Sequence, residues 1–330
     1  MRIAFFTFIV IFIQATAFGV TEDNLKEKLE TDVYPFYDQG VTSSFKGVDG
    51  IEINYHTIKR GMKTAIVIIP GRTEPTRKYA EVVWDLKEQN SDFFLMDHRG
   101  QGYSERMLTD HDKGYVEKFE HYIDDFDKFL QQQVLNQGYK KVFLIAHSMG
   151  GAIGLYHHIL KGRTFDKIVA IAPMLEVETG SFSHTFTLNY LRFLTLIGLG
   201  ENYVHGYKRG TVDFPFEENE VTHSKVRFEM ARDLERDNPF LVMGGATNHW
   251  VVEALAAGRK ISRRKKKLKD VPILMLQAGQ DTFVRSRRQN KVCKLKNCRK
   301  VRFEDAKHEI LMESDEIRND ALKEIIDFLR

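Results

Sequence analysis

A chain of 330 residues is long for one compact core, so one large α/β domain carrying an inserted subdomain is expected. Apolar residues make up 42%, charged residues 29% and aromatics 12%, with 24 Phe, a composition that excludes an intrinsically disordered chain. The net charge of +3, from 49 basic and 46 acidic side chains, argues against a protein dedicated to nucleic acid through a strongly basic face, and no nucleic-acid partner is expected.

The chain opens with Arg2, an apolar run from Ile3 to Ile13, then Gln14 and the small residues Ala15-Thr16-Ala17. This is the plan of a secretory signal cleaved after Ala17, and it predicts export, with residues 1–19 set apart from the folded domain. An uncleaved N-terminal membrane anchor is the alternative; the apolar core is short for a spanning helix. No second segment reaches membrane-spanning length.

Beyond it, IEINYHTIK (51–59), TAIVIIP (64–70), DFFLMD (92–97), KVFLIAH (141–147), KIVAIAP (167–173), PILMLQ (272–277) and KVRFED (300–305) have strand length and turn-residue borders. Most are continuous apolar runs, as in strands covered on both faces. Helical patterns lie between them at 75–89, 116–135 and 315–329, the last offered an N-cap by Ser314. Strand and helix alternate, which predicts a mostly parallel, doubly wound sheet. The alternation breaks between Pro173 and Pro272. Residues 176–250 read as an inserted, mainly helical cap between the two parts of the core, 20–175 and 251–330, with 250–258 as the helix returning to the sheet. The basic run SRRKKKLK (262–269) reads either as a patch for anionic lipid headgroups or, more simply, as a solvated linker.

LIAHSMGGAIG (144–154) places Ser148 between a strand and a glycine-bearing helix, close to the G-x-S-x-G nucleophile elbow, with Ala146 in place of the first glycine. Alone, the motif equally describes an N-cap serine with glycines for packing. A serine nucleophile needs a base and a group that orients the base. His308 follows the last predicted strand and Asp281 follows PILMLQAGQ, so both lie at carboxyl ends of strands, where sites of open α/β sheets form. The order Ser148, Asp281, His308 is the one this topology requires. Oxyanion donors are expected from the Met149 N–H at the start of the helix and from the Arg72 N–H in the loop after TAIVIIP. His147 is expected to point away from the serine, His98 to hold its own loop, His157 and His158 to pack, and His249 to satisfy a core contact or line a pocket. DHRGQGYSE (97–105) lacks the third glycine of a dinucleotide fingerprint, and neither a phosphate loop nor an H-E-x-x-H pair is present. Cys293 and Cys298 form either a small disulfide clip or two free thiols, and lack the further ligands a zinc site requires.

Together these stretches resemble the α/β-hydrolase family, specifically its serine-hydrolase branch of monoacylglycerol lipases and bacterial lysophospholipases. The likeness is carried by PGR (70–72), DHRGQG (97–102), AHSMGGAI (146–153), APM (172–174), VTHS (221–224), HWV (249–251), LMLQA (274–278) and HEIL (308–311), within about residues 45–330. It implies a triad of Ser148, Asp281 and His308, backbone donors on Arg72 and Met149, and a lipid ester with one acyl chain as substrate. It calls for no metal or organic cofactor. Pro70, where the monoacylglycerol lipases usually carry histidine, and Ala146 favour the lysophospholipase side. A monoacylglycerol lipase, a broad carboxylesterase and a non-catalytic binding protein of the same fold are the rival readings. Peripheral contact with a membrane surface fits a lipid-like ester substrate, and oligomeric state is left open.

Overall fold

The computed structural model describes residues 19–330; the expected signal segment lies outside them, apart from Gly19. Eight strands form one sheet: β1 (Val41–Lys46), β2 (Glu52–Ile58), β3 (Thr64–Ile69), β4 (Ser91–Met96), β5 (Lys141–His147), β6 (Lys167–Ile171), β7 (Ile273–Ala278) and β8 (Cys298–Phe303). Their spatial order is β1-β2-β4-β3-β5-β6-β7-β8. The two β1 and β2 pairings are antiparallel and all others parallel.

The central strands are mostly apolar because both faces are covered, and their side chains alternate between two cores. Val67, Ile69, Leu144 and Ala146 enter one core, while Ile66, Ile68, Phe143 and Ile145 enter the other. Strand β1 was not among the expected strands. Its sequence VTSSFK is mostly polar and mostly exposed, since it pairs through β2 at the sheet edge and has little surface to bury.

The helices are α1 (Leu25–Lys28) and α2 (Tyr34–Tyr37) in one continuous N-terminal turn of chain, then α3 (Ala80–Asp85), α4 (Phe119–Phe129), α5 (Ser148–Lys161), α6 (His184–Leu194), α7 (Lys225–Asp237), α8 (Asn248–Arg264), α9 (Ser286–Val292) and α10 (Asp315–Leu329). On α4 the buried Phe119, Tyr122, Ile123, Phe126 and Phe129 recur at helical spacing and form one core-facing stripe. The expected helix at 75–89 is broken into two 3-10 turns flanking the short α3. Ser314 stands at the N-cap of α10 but accepts no capping bond; the Asp315 N–H is instead taken by Glu22, 3.2 Å away.

Between β6 and β7 lie α6, α7 and α8, each begun by a side-chain N-cap, from Ser183, Ser224 and Thr247. Helix α8 is longer than the 250–258 expected, and it absorbs the first residues of the basic run; the rest forms a 3-10 turn whose Leu268 is buried, so this stretch is not a free linker. Arg227 of α7, fully buried, clamps Glu81 of α3 and also reaches Asp315, while Arg318 of α10 pairs with Asp85. These charges fix α7 onto the core.

Cys293 and Cys298 are bridged, tying the end of α9 to the start of β8 with Cα atoms 5.1 Å apart. The loop is short, so the chain-entropy gain is modest. Replacing both cysteines by serine is expected to lower stability by about 2 kcal/mol, read from the urea midpoint, with little effect on turnover.

Candidate active site

β5 ends at His147 and α5 starts at Ser148, with no loop between them. The turn forces Ser148 to φ 48°, a left-handed conformation that a residue with a Cβ adopts only under constraint. Space decides which neighbours are tolerated. A methyl on Gly150 would stand 2.5 Å from the Pro70 carbonyl oxygen and 2.6 Å from that of Ile69, so only glycine lets α5 approach the end of β3. Ala146 sits within β5, buried between Ile69 on β3 and Ala170 on β6, and its methyl does not disturb the elbow.

Beyond β8 the chain returns to this point. Nε2 of His308 lies 2.8 Å from Ser148 Oγ, and its Nδ1 lies 2.7 Å from Asp281 Oδ2. The other oxygen, Oδ1, accepts the N–H groups of Phe283 and Val284, both at 2.9 Å. Burial would push the Asp281 carboxyl up, but the adjacent His308 and these two amides outweigh it and hold it below the ordinary carboxylate range. Asp281 is thus an ionised acceptor fixed at both oxygens. The structure brings Ser148, His308 and Asp281 into one hydrogen-bonded chain, and in that geometry Nε2 can accept the serine proton while Nδ1–H is held by the carboxylate.

The loop after β3 faces the elbow. Gly71 N–H donates to Glu74 at 2.5 Å and Thr73 N–H to Gln101 at 3.3 Å; among the described residues the Arg72 N–H between them has no acceptor. Met149 N–H is in the first turn of α5, where no carbonyl one turn back is available. The 97–102 loop, rather than binding a nucleotide, cradles this one: Gln101 donates to the Gly71 carbonyl at 2.7 Å, His98 bonds the Pro70 carbonyl at 3.1 Å, and Asp97 accepts Thr76 N–H at 2.7 Å.

Sequence reasoning did not foresee the group beneath the site. The buried Glu74 carboxylate accepts from Gly71 N–H, from Tyr79 Oη–H at 2.8 Å, from Lys78 at 2.8 Å and from Nδ1 of His147 at 2.7 Å. Lys78 also pairs with Glu309 at 2.7 Å, beside His308. Nε2 of His147 faces the His308 carbonyl at 3.2 Å. Burial opposes charge on Glu74, yet Lys78 and His147 overcome it and its carboxyl falls well below the ordinary range. His147 therefore meets two acceptors, a carboxylate and a carbonyl, and both ring nitrogens must donate. Burial opposes this imidazolium too, but Glu74 prevails and raises its pKa above the ordinary 6.5. The i, i+4 spacing of Glu74 and Lys78 was the one readable signal of this network.

Three other histidines are structural: His157 bonds Asp127, His158 bonds Asp270, and His249 bonds the Glu117 carbonyl at 2.7 Å.

Sheet order, a strained serine after β5 and a histidine and carboxylate after β8 and β7 define a serine ester hydrolase of the α/β-hydrolase class. The Hydrolase_4 family, described as serine aminopeptidase, S33, matches residues 60–315, and the chain belongs to it. It is 34% identical over 307 residues to Lysophospholipase L2 of Escherichia coli (strain K12), spanning 89% of this chain and 88% of that one. It is 31% identical over 306 residues to the Probable lysophospholipase L2 of Haemophilus influenzae, spanning 90% and 95%. Among solved structures, a soluble variant of the monoglyceride lipase of Saccharomyces cerevisiae with a substrate analog matches with a TM-score of 0.69 at 17% identity, covering 88% of this chain and 94% of that one, a likeness of fold.

A raised histidine pKa stabilises the fold fully below the ordinary value near 6.5, and that contribution fades as pH rises through the raised value. The stability advantage of the native chain over His147→Gln is therefore expected to shrink as pH is raised from 6 toward 9, measured as the difference in urea midpoints.

Proposed function

We propose that this protein is an exported lysophospholipase that releases the fatty acid of a single-chain phospholipid through an acyl-enzyme on Ser148. The observation that carries the catalytic part is the hydrogen-bonded chain Ser148, His308, Asp281 on a strained elbow. His308 takes the Ser148 proton as Oγ attacks the acyl carbonyl; Asp281 holds the Nδ1–H tautomer and stabilises the imidazolium. The Arg72 and Met149 N–H groups receive the oxyanion, at a helix start whose dipole favours negative charge. His308 then protonates the departing alcohol, and water, deprotonated by the same imidazole, releases the acid.

The substrate assignment is supported by the two lysophospholipase relatives. Residues 176–250 serve as the cap that shelters the acyl chain, and contact with a membrane surface belongs to the same reading. Export is supported by the signal-like residues 2–17 and by the Cys293–Cys298 bridge, which suits an oxidising compartment. Among the described residues no helix is long and apolar enough to cross a membrane. The sequence motifs shared with the monoacylglycerol lipases keep monoacylglycerol as the second candidate substrate.

Fluorophosphonate is expected to label the native chain and not Ser148→Ala, and Asp281→Asn should reduce kcat by about 10⁴-fold through the wrong histidine tautomer. Fatty-acid release from lysophosphatidylcholine is expected to exceed that from monoacylglycerol and from short-chain esters. Turnover of monoacylglycerol with none of the lysophospholipid would refute the substrate assignment.

A further inference from the structure

Helix α6 is apolar on both sides. Leu188 and Leu191 bury one side, toward α8, and Ser183 caps the helix. On the other side Phe182, Phe186, Tyr190, Phe193 and Ile197 recur at helical spacing, and each is between 51% and 62% exposed. The first three rings stack in a ladder, with centroids 5.3 and 6.1 Å apart. No acidic residue occurs between Glu178 and Glu201. A contiguous exposed apolar stripe of this kind, flanked by the polar Thr185, Asn189 and Arg192, marks a surface that something covers.

Charge identifies what covers it. Arg259 of α8 donates to Thr185, which places its guanidinium beside the first turn of α6. Arg288 lies close enough to Arg259, Arg287 and Arg263 to be repelled by all three. Glu176 pairs with Arg287 and Arg288, leaving Arg259 and Arg263 in excess at that end of the stripe. Arg263 is exposed, and the basic run continues from it through Lys267. A second copy docked face to face would bring this cationic end against its own kind or against neutral surface. A bilayer containing anionic lipid offers hydrocarbon to the aromatic ladder and phosphate to the arginines.

The chain leading into α6 is joined to the site. Ahead of α6, Glu178 N–H donates to the Phe283 carbonyl at 2.8 Å, and Arg285 N–H donates to the Glu176 carbonyl at 2.8 Å, so the approach to α6 is stitched to the loop that carries Asp281. The partly exposed Phe283 ring lies 5.3 Å from that of His308.

We infer that the outward face of α6, with the arginine cluster at its N-terminal end, seats this enzyme on anionic bilayers next to its Ser148 site. The purpose rests on the lipid-ester reading above, whereas the test does not. The full chain is mixed with vesicles of phosphatidylcholine, with or without phosphatidylglycerol, and sedimented in the absence of substrate. Binding is expected to be stronger with phosphatidylglycerol and to weaken as salt is raised. Phe186→Asp with Phe193→Asp should reduce partitioning about tenfold or more, while hydrolysis of a water-soluble short-chain ester is retained, which shows that the variant is folded. Arg259→Gln with Arg263→Gln should lose about fivefold per charge on the anionic vesicles only. Undiminished vesicle binding by the aspartate variant would overturn the inference. So would a wild-type dimer that this variant converts to monomer with no change in vesicle binding. Loss of lysophospholipid turnover with vesicle binding intact would instead count against the substrate assignment alone.

Discussion

The site depends on one buried carboxylate. Glu74 accepts hydrogen bonds from the backbone of the loop after β3, from the residue before the elbow serine, and from a lysine that also grips the residue after His308. Three segments far apart in sequence are thereby held to a common centre. A buried carboxylate is tolerated only when paired and fully hydrogen-bonded, so these segments cannot drift separately without exposing an uncompensated charge. The positions of the Arg72 N–H, of Ser148 and of His308 are to that extent one constraint.

That constraint explains why the elbow is strained and persists. Ser148 at φ 48° is held between β5, which is locked by β3 and β6, and α5, whose Gly150 presses on the end of β3. The Ser148 carbonyl accepts Met174 N–H at 2.8 Å, which ties the elbow also to the chain after β6. Preorganisation of this kind lets the serine and the proposed oxyanion donors meet a reacting carbonyl without rearranging.

The outer surface follows a different logic. Where α7 meets the core, charge is buried and fully partnered, as in Arg227 with Glu81. Where α6 faces outward, apolar side chains are exposed among the described residues and arginines gather at one end. The two helices between β6 and β7 thus face different neighbours, the core for α7 and, as proposed, a lipid surface for α6.

Much of the arrangement was legible in the chain itself. The continuous apolar runs announce central parallel strands, because burial on both faces leaves no polar alternation. The order of Ser148, Asp281 and His308, each just past a strand, announces residues gathered at one sheet edge, because parallel strands place all their carboxyl ends on one side. What the sequence could not decide is set by contacts between distant segments. Strand β1 exists because β2 offers it an edge, despite its polar residues. Cys293 and Cys298 are bridged because the turn between α9 and β8 brings them together. The Glu74 carboxyl is lowered and the His147 imidazole raised because each meets the other in the buried interior, and the Ala146 methyl is harmless because it leaves the sheet toward Gly154 of α5, which has no side chain to meet it. Periodicity records which face of an element is buried; only the folded chain determines which groups meet there.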